Sequence, residues 1–139
     1  MSVSKKQIFD PLAELLESRD VKPTRQRLNI AQALFARHQH LSADQIMALL
    51  NKAGSELSKA TVYNTLKLFV GKRLVREVIV DPEKVFYDSN MDPHHHFYDT
   101  ETGEIIDIDA AGIDVVGLPE LPQGMVGEGV DVIVRMRRA

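Results

Sequence analysis

Charge is distributed unevenly along this 139-residue chain, and the asymmetry limits the folds that it can adopt. Residues 1–79 contain 13 Lys and Arg against 7 Asp and Glu, whereas residues 80–139 contain 4 against 13. A basic half followed by an acidic half predicts two domains, of which only one contacts a polyanion such as nucleic acid. The composition changes near the same place, from helix formers to frequent Pro and Gly. We therefore predict domains at 1–88 and 93–139.

Capping residues predict four helices in the basic half. Asp10 followed by Pro11 predicts a short helix that ends near residue 19, because proline has no N–H to lose in the first helical turn. Three further helices are predicted behind three N-caps: Thr24, Ser42 and Ser58. Two β-rich runs follow at 74–80 and 85–88. This order of helices and hairpin is typical of a winged helix-turn-helix domain.

The fourth predicted helix has a polar outward face, on which Lys59, Tyr63 and Lys67 recur at helical spacing. Lysine neutralises phosphates, while asparagine and tyrosine offer bases a hydrogen-bonding edge and an apolar ring. We therefore predict that this helix contacts the major groove of DNA through Ser58, Lys59, Thr61, Tyr63, Asn64 and Lys67. The alternative is that the face is only solvated.

Three of the five histidines are consecutive, and they lie in a stretch that alternates like a strand. In a strand, His94 and His96 point to one face and His95 to the other. The pair, with Asp107 on a predicted return strand, offers nitrogen and oxygen ligands that suit Zn²⁺, Fe²⁺ or Mn²⁺. Two alternatives stay open: an exposed polar turn, and a small His/Asp metallohydrolase, although no nucleophile motif or phosphate loop accompanies the cluster.

The chain has no cysteine, which excludes disulfides, thiolate metal sites and a cysteine nucleophile. It has no run of 18 apolar residues, and its first residues place acidic side chains within the apolar stretch, unlike a secretory signal. We therefore expect a cytoplasmic protein with no membrane partner.

Several segments resemble, in order, those of the ferric uptake regulator (Fur) family. They are KPTRQR at 22–27, HLSAD at 40–44, ATVYNTL at 60–66, and HHHF at 94–97 with GEIID at 103–107. HHHF with IDI at 106–108, LPELP at 118–122 and VDVIVR at 130–135 is similar to the iron response regulator (Irr) branch. The resemblance implies an α+β fold, with an N-terminal winged helix-turn-helix domain and a small C-terminal α/β dimerisation domain.

The same resemblance implies a function in iron and haem homeostasis. It implies a repressor, not an enzyme, that binds a palindromic, A·T-rich operator as a homodimer joined by an intermolecular sheet. Tyr63 takes the place of the base-contacting tyrosine, and Lys22, with Arg25, belongs to the DNA-binding set. The regulatory metal site maps onto five residues that would bridge the two domains: His40, Asp88, His94, His96 and Asp107.

The signal stays open between two ligands. A haem-responsive repressor of the Irr type would bind haem iron through His94, His95 and His96, although the Cys-Pro haem motif of some Irr-type proteins is missing. A divalent-metal-responsive repressor would use the five-residue site alone. A structural Cys₄ zinc is excluded, because Asp99 and Thr102 replace the family's first C-x-x-C pair and the second has no counterpart.

Overall fold

The chain divides into two compact units, Met1–Met91 and Asp92–Ala139. This computed structural model describes residues 5–37 and 39–139. Within these residues, the first unit contains α-helices and a three-stranded sheet, and the second contains another three-stranded sheet. Helices and antiparallel strands occupy separate stretches of the chain, which confirms the predicted α+β class.

In the first unit, three of the helices begin where the sequence predicts them. Thr24, Ser42 and Ser58 are N-caps whose side-chain oxygens accept a hydrogen bond from the backbone N–H three residues later. The helices are α1 (Lys5–Ser18), α2 (Arg25–Phe35), α3 (Ala43–Lys52) and α4 (Lys59–Gly71). The strands are β1 (His40–Leu41), β2 (Arg76–Asp81) and β3 (Lys84–Asp88).

Helix α1 begins earlier than predicted. It starts at Lys5, so Pro11 lies inside the helix and Asp10 is not its N-cap. The prediction of a helix start at Asp10 is therefore wrong. Pro11 cannot donate to the carbonyl four residues earlier, but Leu16, one and a half turns later, is fully buried and holds the helix against the core.

The core of the first unit is formed mainly by one face of each helix. Its largest fully buried helical side chains are Leu16, Ile30, Leu34, Ile46, Val62, Leu66 and Phe69. Burial of one such side chain contributes about 1.5–3 kcal/mol, which outweighs the weak helix propensity of β-branched residues such as Val62. Because Val62, Leu66 and Phe69 turn one face of α4 inward, the face that carries its lysines remains in solvent.

The sheet of the first unit has the order β1-β3-β2 and is antiparallel. Strands β2 and β3 form the predicted hairpin, the wing of the winged helix. The two-residue strand β1 was not predicted. It pairs with the outer edge of β3 and places His40 directly opposite Asp88.

The second unit contains β4 (His94–Asp99), β5 (Ile105–Asp109) and β6 (Ile133–Met136) in the order β5-β4-β6. Strands β4 and β5 form the predicted antiparallel hairpin, whereas β6 pairs with β4 in parallel, within the same chain. All of residues 92–139 are described, and their only helical element is a 3₁₀ turn at Ala110–Gly112. None of the described helices has the length and apolar character that crossing a membrane requires.

Candidate nucleic-acid interface and metal ligands

Helix α4 presents a basic and aromatic face to solvent. Lys59, Tyr63, Asn64 and Lys67 are exposed, and the Tyr63 ring remains 43% accessible. The Lys59 ammonium nitrogen lies 5.8 Å from the centroid of the Tyr63 ring, a distance at which a cation and an aromatic face attract. This attraction favours one orientation of the tyrosine ring on the exposed face.

Two predicted DNA contacts, Ser58 and Thr61, serve the helix itself. The Ser58 hydroxyl oxygen accepts a hydrogen bond from the Thr61 backbone N–H at 3.1 Å and lies 2.8 Å from the Thr61 hydroxyl. Their hydroxyls therefore satisfy the N-terminus of α4, and contact with DNA stays a prediction for both.

Lys22 and Arg25, the remaining predicted DNA contacts, lie at the start of α2. Both side chains are exposed, and the Lys22 carbonyl accepts a 3.0 Å hydrogen bond from the Arg27 guanidinium. The Arg27 contact anchors the backbone that precedes α2 while the Lys22 and Arg25 charges remain in solvent. Contact with DNA stays a prediction for these residues as well.

The first group of possible metal ligands lies in the first unit and consists of His40 and Asp88, which we call the ligand pair. His40 Nε2 is 3.0 Å from Asp88 Oδ2, as the β1–β3 register requires. Asp88 is fully buried, and its Oδ1 accepts a hydrogen bond from the Asn90 N–H at 2.9 Å. A buried carboxylate needs such partners, and an imidazole nitrogen beside a carboxylate oxygen is a combination of donors that divalent cations bind.

The second group lies in the second unit and consists of His94, His96 and Asp107, which we call the ligand triad. The β4–β5 register places Asp107 opposite His96, so all three side chains share one face of the sheet. Asp107 Oδ1 is 3.7 Å from His94 Nε2 and 3.5 Å from His96 Nε2. Ligands of a tetrahedral zinc ion are about 3.4 Å apart at bond lengths of about 2.1 Å, so the triad fits a divalent cation.

The orientation of His94 is fixed by a further contact. Its Nδ1 lies 2.6 Å from the Asp92 carbonyl oxygen, to which it donates. A histidine whose Nδ1–H is bonded to a carbonyl carries its lone pair on Nε2, the atom that faces Asp107. Histidine that binds a metal is usually held in this way, which supports the metal-ligand prediction for His94.

His95 has different surroundings from its two neighbours. Its Nδ1 accepts a hydrogen bond from the Val132 backbone N–H at 3.0 Å, and the neighbouring His96 N–H donates to the Val132 carbonyl at 3.1 Å. In neutral His95 the proton is therefore on Nε2, so coordination of haem iron through that atom would break the present arrangement. His95 fastens the residue that precedes β6.

The turn between β4 and β5 contains a carboxylate that sequence reasoning noted only as a departure from the family. Asp99 Oδ1 accepts hydrogen bonds from the Glu101 and Thr102 N–H groups at 2.9 and 3.1 Å, and Oδ2 is 2.7 Å from the Arg138 guanidinium. The hydrogen bond from Arg138 is the main reason that the pKa of Asp99 is lowered to about 2. The backbone donors also lower it, while burial acts in the opposite direction. The pairing of Asp99 with Arg138 has no local sequence signal, because 38 residues separate them.

Comparison with known proteins identifies the family. The model of the ferric uptake regulator family matches residues 18–121. The peroxide-responsive repressor PerR of Staphylococcus aureus (strain USA300) is 32% identical over 110 residues, which cover 77% of this chain and 74% of that protein.

Two solved structures show the same fold. The ferric uptake regulator from Pseudomonas aeruginosa with manganese is 24% identical, with a TM-score of 0.69 over 90% of this chain and 96% of that chain. The Vibrio cholerae ferric uptake regulator is 20% identical, with a TM-score of 0.70 over 91% and 99%. The match of the family model over most of its length, together with the similarity to PerR, shows that this chain belongs to the ferric uptake regulator family, whose members are transcription regulators and not enzymes.

Proposed function

We propose that this protein is a transcriptional repressor that responds to a divalent metal ion, Fe²⁺, Mn²⁺ or Zn²⁺. The observation that carries the proposal is the ligand triad, in which two imidazole nitrogens lie 3.5 and 3.7 Å from one carboxylate oxygen. Nitrogen and oxygen donors without thiolate suit these three ions. The relatives support it, since the similar Staphylococcus aureus protein is named a repressor and the Pseudomonas aeruginosa structure contains manganese.

We further propose that the ligand pair and the ligand triad hold the same ion. The family resemblance implies this set of five, and both groups offer the same kind of donor. When bound, the ion supplies a positive charge that holds neutral imidazoles and carboxylates together. The residues of the chain supply the orientation: the Asp92 carbonyl fixes the His94 ring, and burial with the Asn90 N–H fixes Asp88.

The proposed partner is double-stranded DNA, bound as a palindromic, A·T-rich operator by a homodimer. Support comes from the exposed face of α4, on which Lys59 and Lys67 flank Tyr63. A two-fold dimer matches a two-fold symmetric site, with one winged helix on each half.

A haem-responsive repressor of the Irr branch is the second candidate. It rests on the segments that resemble Irr and on the imidazoles of His94, His95 and His96 as ligands. The Val132–His95 hydrogen bond counts against His95 as the axial ligand in this arrangement. Hemin would then have to bind through His94 or His96, in competition with a divalent ion.

The experiment measures DNA affinity as a function of the bound signal. Protein treated with chelator binds duplexes selected from a random-sequence library, with Mn²⁺, Zn²⁺, anaerobic Fe²⁺ or hemin added in separate arms. We expect at least one divalent ion to change the affinity about tenfold or more, equivalent to about 1.4 kcal/mol. Asp107→Asn should abolish this response, because the amide removes the charge shared by His94 and His96.

Asp109→Asn is the matched control, since Asp109 lies on the same strand and its carboxylate only accepts the Ala111 N–H, which an asparagine oxygen can also accept. A DNA affinity that is the same in every metal arm would contradict metal control. A Soret band together with hemin-dependent release, lost in the variant His94→Ala/His95→Ala/His96→Ala, would replace it with the haem-responsive function. Absence of selected sequences would contradict the repressor itself.

A further inference from the structure

The C-terminal strand β6 joins β4 at Val132, the residue directly before β6. The Val132 N–H donates to His95 Nδ1 at 3.0 Å, and the Val132 carbonyl accepts the His96 N–H at 3.1 Å. One residue is therefore bonded through both of its backbone groups to two consecutive residues of β4. The first of these two contacts is made to a side chain, so it depends on which residue stands at position 95.

His95 lies between the two histidines of the ligand triad and is buried, as they are. Because side chains alternate along a strand, its ring leaves β4 on the face opposite His94 and His96. A side chain that is held on one face of a strand restrains the backbone from which its two neighbours project. The Val132 contact therefore acts on the part of β4 that carries both imidazoles of the triad.

The two imidazoles depend on this restraint to different degrees. The His94 ring has an anchor of its own, since its Nδ1 donates to the Asp92 carbonyl. For His96, the Val132 carbonyl holds the backbone N–H, while the ring places its Nε2 3.5 Å from Asp107 Oδ1 on β5. Removing a group that holds a metal ligand in place typically weakens metal binding by about tenfold or more.

We propose that His95 is a positioning residue of the metal site, which does not bind the ion but fixes, through Val132, the part of β4 that carries His94 and His96. The inference rests on the proposed function, in which the ligand triad holds a divalent ion. It requires a hydrogen-bond acceptor at the Nδ1 position of residue 95 and does not require an imidazole there. Metal affinity then depends on a contact between residues that lie 37 positions apart in the chain.

The test compares side chains that differ in where they place an acceptor at position 95. Asparagine places its amide oxygen close to the position of histidine Nδ1, glutamine places it near that of Nε2, and leucine has none. Zn²⁺ affinity of the full-length, chelator-treated protein is measured by competition with a chromophoric chelator. His95→Leu and His95→Gln should raise the Zn²⁺ dissociation constant by about tenfold, whereas His95→Asn should stay within about twofold of the native value.

Hydrogen exchange reports the contact itself. The Val132 amide should exchange faster in His95→Leu and His95→Gln than in native protein or His95→Asn, because its acceptor is gone. The polar His95→Gln variant keeps the test decisive if a buried leucine prevents folding. Native Zn²⁺ affinity in His95→Gln together with fast exchange at Val132 would overturn the positioning role.

Thr100→Val is the matched control, because it removes a side-chain hydrogen bond at the other end of β6, from Thr100 Oγ1 to the Met136 carbonyl at 3.2 Å. It should leave the Zn²⁺ dissociation constant unchanged. A loss as large as that in His95→Gln would show general loosening of the sheet and would overturn the inference. An equal loss in His95→Asn would show that the imidazole itself is needed, which would also overturn it. Native protein that binds no Zn²⁺ would instead contradict the metal site of the proposed function.

Discussion

Tyr63 and Lys67 lie one helical turn apart on the same exposed face of α4, yet their chemistry predicts different defects. Tyr63→Ala removes the ring and the hydroxyl that would contact bases. We therefore expect the binding free energy for the selected operator to weaken by about 1–3 kcal/mol and the specificity to relax. Lys67→Ala removes a phosphate contact, so all duplexes should weaken alike and the salt slope should fall by about one. Anisotropy titrations at four salt concentrations distinguish them, and identical defects would contradict the division of roles.

Asp99 predicts an acid sensitivity of the second unit. Its pKa is lowered to about 2 by Arg138, whereas an unfolded aspartate titrates at about 3.9. The contribution of a lowered carboxyl pKa is present above the unfolded value and is lost as the pH falls towards 2. In calorimetry between pH 5 and pH 2, the melting temperature of the native protein should fall more steeply with pH than that of Asp99→Asn. Parallel curves would contradict this assignment, and Asp109→Asn should behave like native protein.

At the scale of elements, Ser58 allows the cap of α4 to be separated from DNA contact. Ser58→Ala should destabilise the protein by about 1 kcal/mol, because the Thr61 N–H loses its acceptor. Ser58→Asp restores an acceptor, and its negative charge interacts favourably with the positive N-terminal end of the helix dipole. The free energy of unfolding should therefore return to about the native value. Its charge should nevertheless weaken operator binding if Ser58 lies at the interface. Native affinity for Ser58→Asp would remove Ser58 from the predicted DNA contacts.

The elements show which parts of the fold a sequence can predict. The starts of α2, α3 and α4 were predictable because a cap is a contact between residues three apart, as Ser58 with Thr61 shows. The order of helices and hairpin followed from periodicity. Helix α1 was mispredicted because proline, although it prefers a first turn, here lies inside the helix, which begins at Lys5 without a local capping signal that the sequence analysis used.

The candidate ligands were predictable only in part. Alternation along β4 suffices to place His94 and His96 on one face, and Asp107 follows from the hairpin. The approach of His40 to Asp88 depends on a two-residue strand whose pairing spans 48 residues, and only the family resemblance suggested it. Long-range pairings of this kind leave no local pattern.

For the whole molecule, the second unit carries an exposed apolar row formed by Phe97, Ile106 and Val134, which are neighbours across β4, β5 and β6. Each of the three side chains is about two-fifths exposed, and the row lies on the sheet face opposite the ligand triad. Regulators of this family form dimers, and burying an apolar face of this kind against a second copy would stabilise one. We therefore expect the row to contribute to the dimer interface.

Phe97→Asp should raise the dimer dissociation constant by about tenfold or more, because a charge would be buried at the interface. Sedimentation across a concentration series measures the change. Leu49→Asp, at a similarly exposed leucine on α3 of the first unit, should leave the dimer intact. Equal dissociation constants for native protein and Phe97→Asp would exclude the row from the interface.

The turn that Asp99 and Arg138 close has a consequence for how such a regulator behaves in a stressed cell. A carboxylate and a guanidinium fasten it, and no thiol occurs anywhere in the sequence. Peroxide finds no sulfhydryl to convert, and zinc starvation cannot remove a thiolate-bound ion from this turn. The closure of this turn by Asp99 and Arg138 therefore does not depend on thiolate-bound metal. A Cys₄ structural zinc would therefore add nothing to a metal count on the purified protein.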